Sequence, residues 1–374
     1  MNKKLLFIVN VDWFFISHRL PIALEAIEKG YEVHVACAVT DKQSELEGYG
    51  IKVHAIPLSR SGTNLKNELL AVWRLYKVVK NVSPDVAHMV TIKGAIYGGL
   101  VTRLQRVQKR VASISGLGFV FIDESLKSKV LRFFVERLYK LAFGKNIKVI
   151  FQNRSDESIF LKGKIVDKKQ CILIRGSGVC LKEFKYSPEP VVQGEQKTVM
   201  FLARLLKDKG VLEFCSAALE LKKRYNTQFV LVGDIDEHNP NSLTAQELEA
   251  QISSGAVVHW GYSKNINQVI PKSHIMVLPS YREGLPKSLI EAAACGRAVV
   301  TTDVPGCRDA IEVNETGLLV EKKSVPGLVD AISKLLEDEH LRLQLGKAGR
   351  ALAERSFDIN DVIARHLEIY KGNK

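Results

Sequence analysis

Short runs of apolar, largely β-branched residues recur along the chain, and between them lie stretches whose apolar positions repeat every three or four residues. The first pattern suits strands buried on both faces and the second suits helices that cover them, so the alternation predicts βαβ units around parallel sheets. In the first half, strands are expected at residues 5–9, 32–38, 52–56, 86–90, 110–114, 149–152 and 171–174, with helices at 17–28, 65–81 and 126–143. Gly30, Gly50 and Ser83-Pro84 close helices ahead of strands. From 175 to 196 the periodicity fades and Gly176, Gly178, Pro188, Pro190 and Gly194 cluster. A second series follows, with strands at 198–203, 229–232, 257–259, 275–278, 298–301 and 317–320 and helices at 209–224 and 286–295. The expected fold class is α/β: two doubly wound parallel-sheet domains, residues 1–178 and 197–374 (the second with a helical tail), joined by a linker at 179–196. Ligands of such sheets bind at the carboxyl ends of the strands, so the domains are expected to face one cleft.

A length of 374 residues accommodates two such domains. The net charge of +13 is unevenly placed, because residues 1–190 hold 31 Lys and Arg against 17 Asp and Glu while the remainder is close to neutral. One half is built to meet an anionic partner. The six cysteines, Cys37, Cys171, Cys180, Cys215, Cys295 and Cys307, have no spacing that reads as a zinc or redox motif, and reduced thiols in a cytoplasmic chain are expected. The apolar run at 5–9 is too short for a signal sequence and meets Asp12, and no window approaches a membrane span, so any membrane attachment is expected to be peripheral.

Several chemistries find no motif. No Gly-x-Gly-x-x-Gly follows a strand, and the nearest cluster, Gly116-Leu117-Gly118-Phe119, ends in an aromatic residue. A P-loop, a His-Glu-x-x-His helix and a nucleophile elbow are likewise missing from the sequence. The informative segment is Pro279-Ser280-Tyr281-Arg282-Glu283-Gly284-Leu285-Pro286-Lys287-Ser288-Leu289-Ile290-Glu291, directly after a strand. Pro286 suits a first helical position and Gly296 a stop, which makes Gly284, Leu285, Pro286, Lys287 and Ser288 an anion site, where free N–H groups and the positive dipole end coincide. Glu283 and Glu291 supply carboxylates for sugar hydroxyls. After the strand at 198–203 come Arg204 and Lys209, a planar fork and a point charge suited to a diphosphate leaving group.

Ala203-Arg204, Lys209-Gly210, Glu283 and Glu291 seven residues apart, 298–302 and 316–320 together resemble the retaining nucleotide-sugar glycosyltransferases of family four, which have the GT-B fold of two Rossmann-like domains. The resemblance implies that Arg204 and Lys209 hold the donor diphosphate, that Glu283, Gly284 and Leu285 engage the transferred sugar, and that Glu291 binds the ribose. It places the nucleobase near Gly261 and Tyr262. It further implies a UDP-sugar donor, with no cofactor and no essential metal.

The N-terminal half is similar to bacterial transferases that extend undecaprenyl-diphosphate-linked sugars, through 15–21, 116–121, 151–153 and 175–179. The implied activity is transfer of an N-acetylhexosamine to a lipid-diphosphate-linked glycan acceptor for surface polysaccharide or lipid-linked oligosaccharide. The chain departs from the family pattern at Ser115, where many members carry His, at Ala203 in place of Gly, at Cys180 in place of Asp, and in a first βα loop without glycine. Acceptor-side candidates are His18, Arg19, His88 and Lys93, with Trp13, Phe14 and Phe119 on expected cleft-side loops. The helix at 126–143 interleaves basic and apolar residues, and with the basic half it is expected to dock on the anionic inner face of the plasma membrane. The rival expectations are a UDP-sugar epimerase and a basic nucleic-acid-binding protein. The second lacks any recognisable module, so no nucleic acid partner is expected.

Overall fold

The computed structural model describes residues 2–58, 65–117, 126–191, 196–237 and 239–372. The chain divides into two units, Met1–Ser177 with Asn360–Lys374, and Gly178–Ile359.

The first unit carries seven parallel strands: β1 (Lys3–Val11), β2 (Tyr31–Ala38), β3 (Lys52–Ala55), β4 (Val86–Val90), β5 (Lys109–Ile114), β6 (Lys148–Phe151) and β7 (Cys171–Leu173). They lie in the order β3-β2-β1-β4-β5-β6-β7. Leu5, Leu6, Phe7, Ile8 and Val9 of β1 have no solvent exposure, because a central parallel strand is covered on both faces by helices. The second unit repeats the plan with β8 (Lys197–Leu202), β9 (Thr227–Val232), β10 (Val258–Gly261), β11 (Ile275–Leu278), β12 (Ala298–Thr302) and β13 (Gly317–Val320), in the order β10-β9-β8-β11-β12-β13. In each sheet the winding reverses beside the first strand, between β1 and β4 and between β8 and β11. That reversal opens a crevice at the carboxyl ends of the two strands.

The division differs from the sequence expectation at two places. The expected linker is largely a strap on the second unit: Val179 N–H donates to the Phe357 carbonyl at 2.8 Å, and the guanidinium of buried Arg342 donates to both oxygens of Glu189 at 2.9–3.1 Å. Arg297, with no exposure, donates to Ser187 Oγ at 2.6 Å and the Pro188 carbonyl at 3.0 Å. Such contacts leave no periodic signature, since two buried guanidiniums impose them from a distance. Of the helical tail, assigned to the second domain from its position in the chain, only the part from Asn360 onward joins the first unit; the helices Val325–Glu337 and Glu339–Ser356 stay with the second. Tyr370 of the helix Ile359–Lys371 is fully buried, with its hydroxyl 2.5 Å from His88 Nδ1 and its ring edge-on to Phe7.

Candidate active site

β8 and β11 are hydrogen-bonded neighbours, with Val199, Met200 and Phe201 paired to Ile275, Met276 and Val277. The segments leaving their carboxyl ends therefore emerge side by side at the winding reversal. Leaving β8, Arg204 precedes a single 3-10 turn, Lys207–Lys209, which ends at Gly210 in a left-handed conformation with φ of 75°. A Cβ at Gly210 would overlap the carbonyl oxygen of Pro279, so the glycine is what lets the Lys209 turn and the segment after β11 approach each other.

The approach brings Lys209 and Glu283 together. The Lys209 ammonium donates to Glu283 Oε1, and Ser280 Oγ donates to the same oxygen at 2.7 Å. Ser280 is fully buried, and its carbonyl accepts from the Thr302 hydroxyl at the end of β12. The backbone of Glu283 is held as well: its N–H donates to the Pro305 carbonyl at 3.0 Å, and Gly306, φ 84°, lies so close that a Cβ there would overlap the Glu283 carbonyl. Arg204 donates to Asp236 Oδ2 at 2.6 Å from the loop after β9. Two cations are thus gathered at the crevice and neutralised by two carboxylates of the protein itself. Asp208, between them, has its carboxyl pushed above the usual range by burial, with the Glu283 charge adding to the shift and Lys209 and Arg204 opposing it.

Pro286 is the N-cap of the helix Lys287–Ala294 and not its first residue, with φ of −71° and ψ of 122°. Gly284, Leu285 and Pro286 are buried beneath the helix start, while Lys287 and Ser288 are partly exposed in its first turn. Glu291 is buried with its carboxylate 3.4 Å from Lys287 Nζ, and burial raises its pKa against the opposing Lys287 charge. Gly261 ends β10 with φ of 70°, and exposed Tyr262 follows. They sit at the same edge of the sheet as Arg204, two strands away.

The acceptor-side candidates fare differently. Trp13 and Phe14 are not on a loop, because the helix Asp12–Glu28 starts directly after β1; both are half-buried in its first turn. His18 stacks on Phe14 with ring centroids 4.1 Å apart. Lys93 pairs with Glu68 at 2.6 Å. Phe119 lies outside the described residues. Two candidates are corrected. His88 is in the middle of β4 with no exposure, its ring between Ser113 Oγ at 2.6 Å and Tyr370, and burial holds its pKa well below the usual value; it is a neutral core residue. Arg19 is buried and donates to the His18 carbonyl, Ser177 Oγ and Ser115 Oγ at 2.9–3.4 Å, so its guanidinium faces inward.

Sequence reasoning overlooked Asp236, Ser280, Thr302 and Asp12. Asp236 had a signal, an acidic pair with Asp234 directly after a strand. Asp12 is fully buried and accepts from Thr40 N–H and hydroxyl at 2.7 and 2.8 Å, fixing the segment after β2 beside the first winding reversal. Among the described residues no group of three or more His, Cys, Asp or Glu is placed to hold a metal ion.

Residues 183–352 match the family model "Glycosyl transferases group 1", and residues 4–153 match "Glycosyl transferase 4-like". The chain is 34% identical to the N,N'-diacetylbacillosaminyl-diphospho-undecaprenol alpha-1,3-N-acetylgalactosaminyltransferase of Campylobacter jejuni, over 95% of this chain and 97% of that protein. It is 24% identical to the capsular polysaccharide biosynthesis glycosyltransferase CapM of Staphylococcus aureus, over 98% and 96%. In fold it is similar to Anabaena HepE, solved in complex with UDP (TM-score 0.76, 18% identity, 99% and 100% covered), and to the sucrose-phosphate synthase of Thermosynechococcus elongatus (TM-score 0.80, 19% identity, 99% and 98% covered). These matches leave the epimerase alternative without support. A cation-lined winding reversal in the second sheet, two family models that together span most of the chain and a relative one-third identical from end to end agree: the chain belongs to the group 1, family-four-like glycosyltransferases of GT-B fold.

Proposed function

We propose that the enzyme transfers an N-acetylhexosamine from a UDP-sugar to a lipid-diphosphate-linked glycan, with retention of anomeric configuration and without a metal or other cofactor, at the anionic inner face of the plasma membrane. The observation that carries the donor half is the convergence of Arg204, Lys209 and Glu283 where the winding of the second sheet reverses. The acceptor half rests on the Campylobacter relative, whose name gives an N-acetylgalactosaminyl transfer to a diphospho-undecaprenol-linked sugar.

In such a transfer, positive charge develops on the sugar ring and negative charge on the departing diphosphate. Catalysis then comes chiefly from donors fixed in place before the bond breaks. The guanidinium of Arg204 and the ammonium of Lys209 meet the diphosphate in exchange for their carboxylate partners, and the N–H groups at the start of Lys287–Ala294 add a dipole of the same sign. Released from Lys209, Glu283 accepts from hydroxyls of the transferred sugar, held by Ser280. Glu291 takes the ribose hydroxyls, and Gly261 and Tyr262 border the base. The diphosphate oxygen receives the acceptor proton on the same face of the sugar. With two fixed cations on the leaving group, no divalent ion is required for charge neutralisation. On the acceptor side, Trp13, Phe14, His18 and Lys93 remain the candidates at the carboxyl edge of the first sheet.

The test is a donor screen that measures UDP release with lipid-diphosphate-linked sugars as acceptors, in the presence of a chelator. Acceptor-dependent release with UDP-N-acetylhexosamine supports the reading. Conversion of the UDP-sugar to an epimer without acceptor, or release only after divalent ions are added, contradicts it.

A further inference from the structure

In the first unit, three helices lie side by side over the sheet: Leu65–Val82, Ile92–Leu104 and Leu126–Phe143, the middle one packed against both others. A soluble helix of this kind hides its apolar stripe against the sheet and turns polar residues outward. The two flanking helices present large apolar side chains on their outer faces as well. On the first, Trp73 is 52% exposed; on the second, Leu131 is 50%, Phe134 59% and Leu141 57% exposed. Leu131, Phe134, Leu138 and Leu141 recur at the helical period, so they form one stripe.

The stripes are joined. Gln105 Nε2 donates to the Tyr76 carbonyl of the first helix at 2.7 Å, and the Arg103 guanidinium donates to the Leu141 carbonyl of the last. Between those two residues sits Leu104, 72% exposed. Exposed large apolar side chains thus stand on all three adjacent helices, unusual for a face meant to meet water. Its polar positions are mainly cationic, and two of the cations lie over its own aromatic rings: Lys77 Nζ is 3.6 Å from the centre of the Trp73 ring, and the Arg137 guanidinium 4.9 Å from that of Phe133.

We infer that this three-helix face inserts Trp73, Leu104 and Phe134 into the headgroup and upper acyl region of an anionic bilayer, with its lysines and arginines at the phosphate level. The inference rests on the membrane-surface part of the proposed function and adds the location and the mode. Amphipathic helices with a basic rim and Trp, Phe or Leu on the other face lie in a membrane interface in this way. Long cationic side chains reach around an apolar patch to the headgroups, while aromatic rings favour the interfacial depth. A second copy of the chain is a poorer occupant, because pairing the face with itself sets cation against cation.

The test is co-sedimentation of the full chain with vesicles of phosphatidylglycerol and phosphatidylethanolamine, at low and at high salt, compared with phosphatidylcholine vesicles. Binding to the anionic vesicles is expected to weaken at high salt but to persist. Trp73→Gln and Phe134→Gln, both at exposed positions, are each expected to lower the partition coefficient about tenfold at high salt, while transfer to a water-soluble acceptor analogue stays unchanged. Binding that disappears entirely at high salt and ignores both substitutions would overturn insertion and leave a purely electrostatic membrane contact. Binding to no vesicle would remove the membrane reading as well. Lipid-independent dimers that dissociate on either substitution would replace the bilayer with a second copy.

Discussion

The ammonium of Lys209 and the carboxylate of Glu283 are ion-paired across 74 residues of sequence, from the ends of two adjacent strands. The pair keeps a partly buried cation compensated, and in the proposed function a bound donor gives both groups new partners. Replacing Lys209 or Arg204 with Ala is therefore expected to lower kcat by about 10²–10³-fold, the usual cost of removing one preorganised donor from a developing anion. Arg204→Lys is expected to recover only part of the loss, because an ammonium lacks the planar fork. Steady-state rates on protein with wild-type circular dichroism decide this, and near-normal turnover of either Ala variant would remove the assignment.

Glu283 is aimed by neighbours that need not touch substrate. Ser280→Ala deletes the hydroxyl on Oε1 and is expected to lower kcat about tenfold with little change in Tm. Gly306→Ala forces a side chain into the Glu283 carbonyl at a left-handed φ. Its expected cost is about 1–3 kcal/mol of stability together with a larger loss of turnover than Ser280→Ala. Thermal unfolding and kinetics on the two variants check the order; equal activity in Ser280→Ala and wild type would contradict it.

Burial of Glu291 sets its proposed role in ribose binding against stability. A carboxyl whose folded pKa lies above its unfolded value binds its proton more tightly when folded; that contribution is complete below the unfolded value and is lost as pH rises through the folded one. Ionised Glu291 therefore costs stability at neutral and alkaline pH. Glu291→Gln is expected to raise Tm at pH 8, with the gain shrinking as the pH falls through the carboxylate range, and to raise the KM for the donor. Calorimetry across pH checks the first part; a Tm difference that grows toward low pH would contradict it.

His88 is expected to behave as a core residue. His88→Ala leaves the Ser113 and Tyr370 hydroxyls without their partner and opens a cavity against Phe7. The expected cost is about 2–5 kcal/mol, with kcat per folded molecule unchanged. A large loss of kcat at normal Tm would restore an acceptor role.

The doubly wound class and the edges on which Arg204, Lys209 and Glu283 sit were legible because each follows a short apolar strand, and ligands of parallel sheets bind at that end. What was not legible depends on pairing at long range. Nothing near His88 tells whether a strand residue faces water or Tyr370, 282 positions later. The strap at 178–191 reads as irregular because Arg342 and Arg297, not local periodicity, hold it. Asp236 became visible only when β9 and β8 were adjacent, whereas Ser280 bonds Glu283 three residues away through a loop conformation that has no sequence period.

The most direct measurement is a crystal structure of the full chain soaked with UDP. The diphosphate is expected at the carboxyl ends of β8 and β11, within hydrogen-bond distance of both Arg204 and Lys209, with Asp236 and Glu283 no longer their partners. Density for the nucleotide at the first sheet, or at any place out of reach of those two side chains, would contradict that placement.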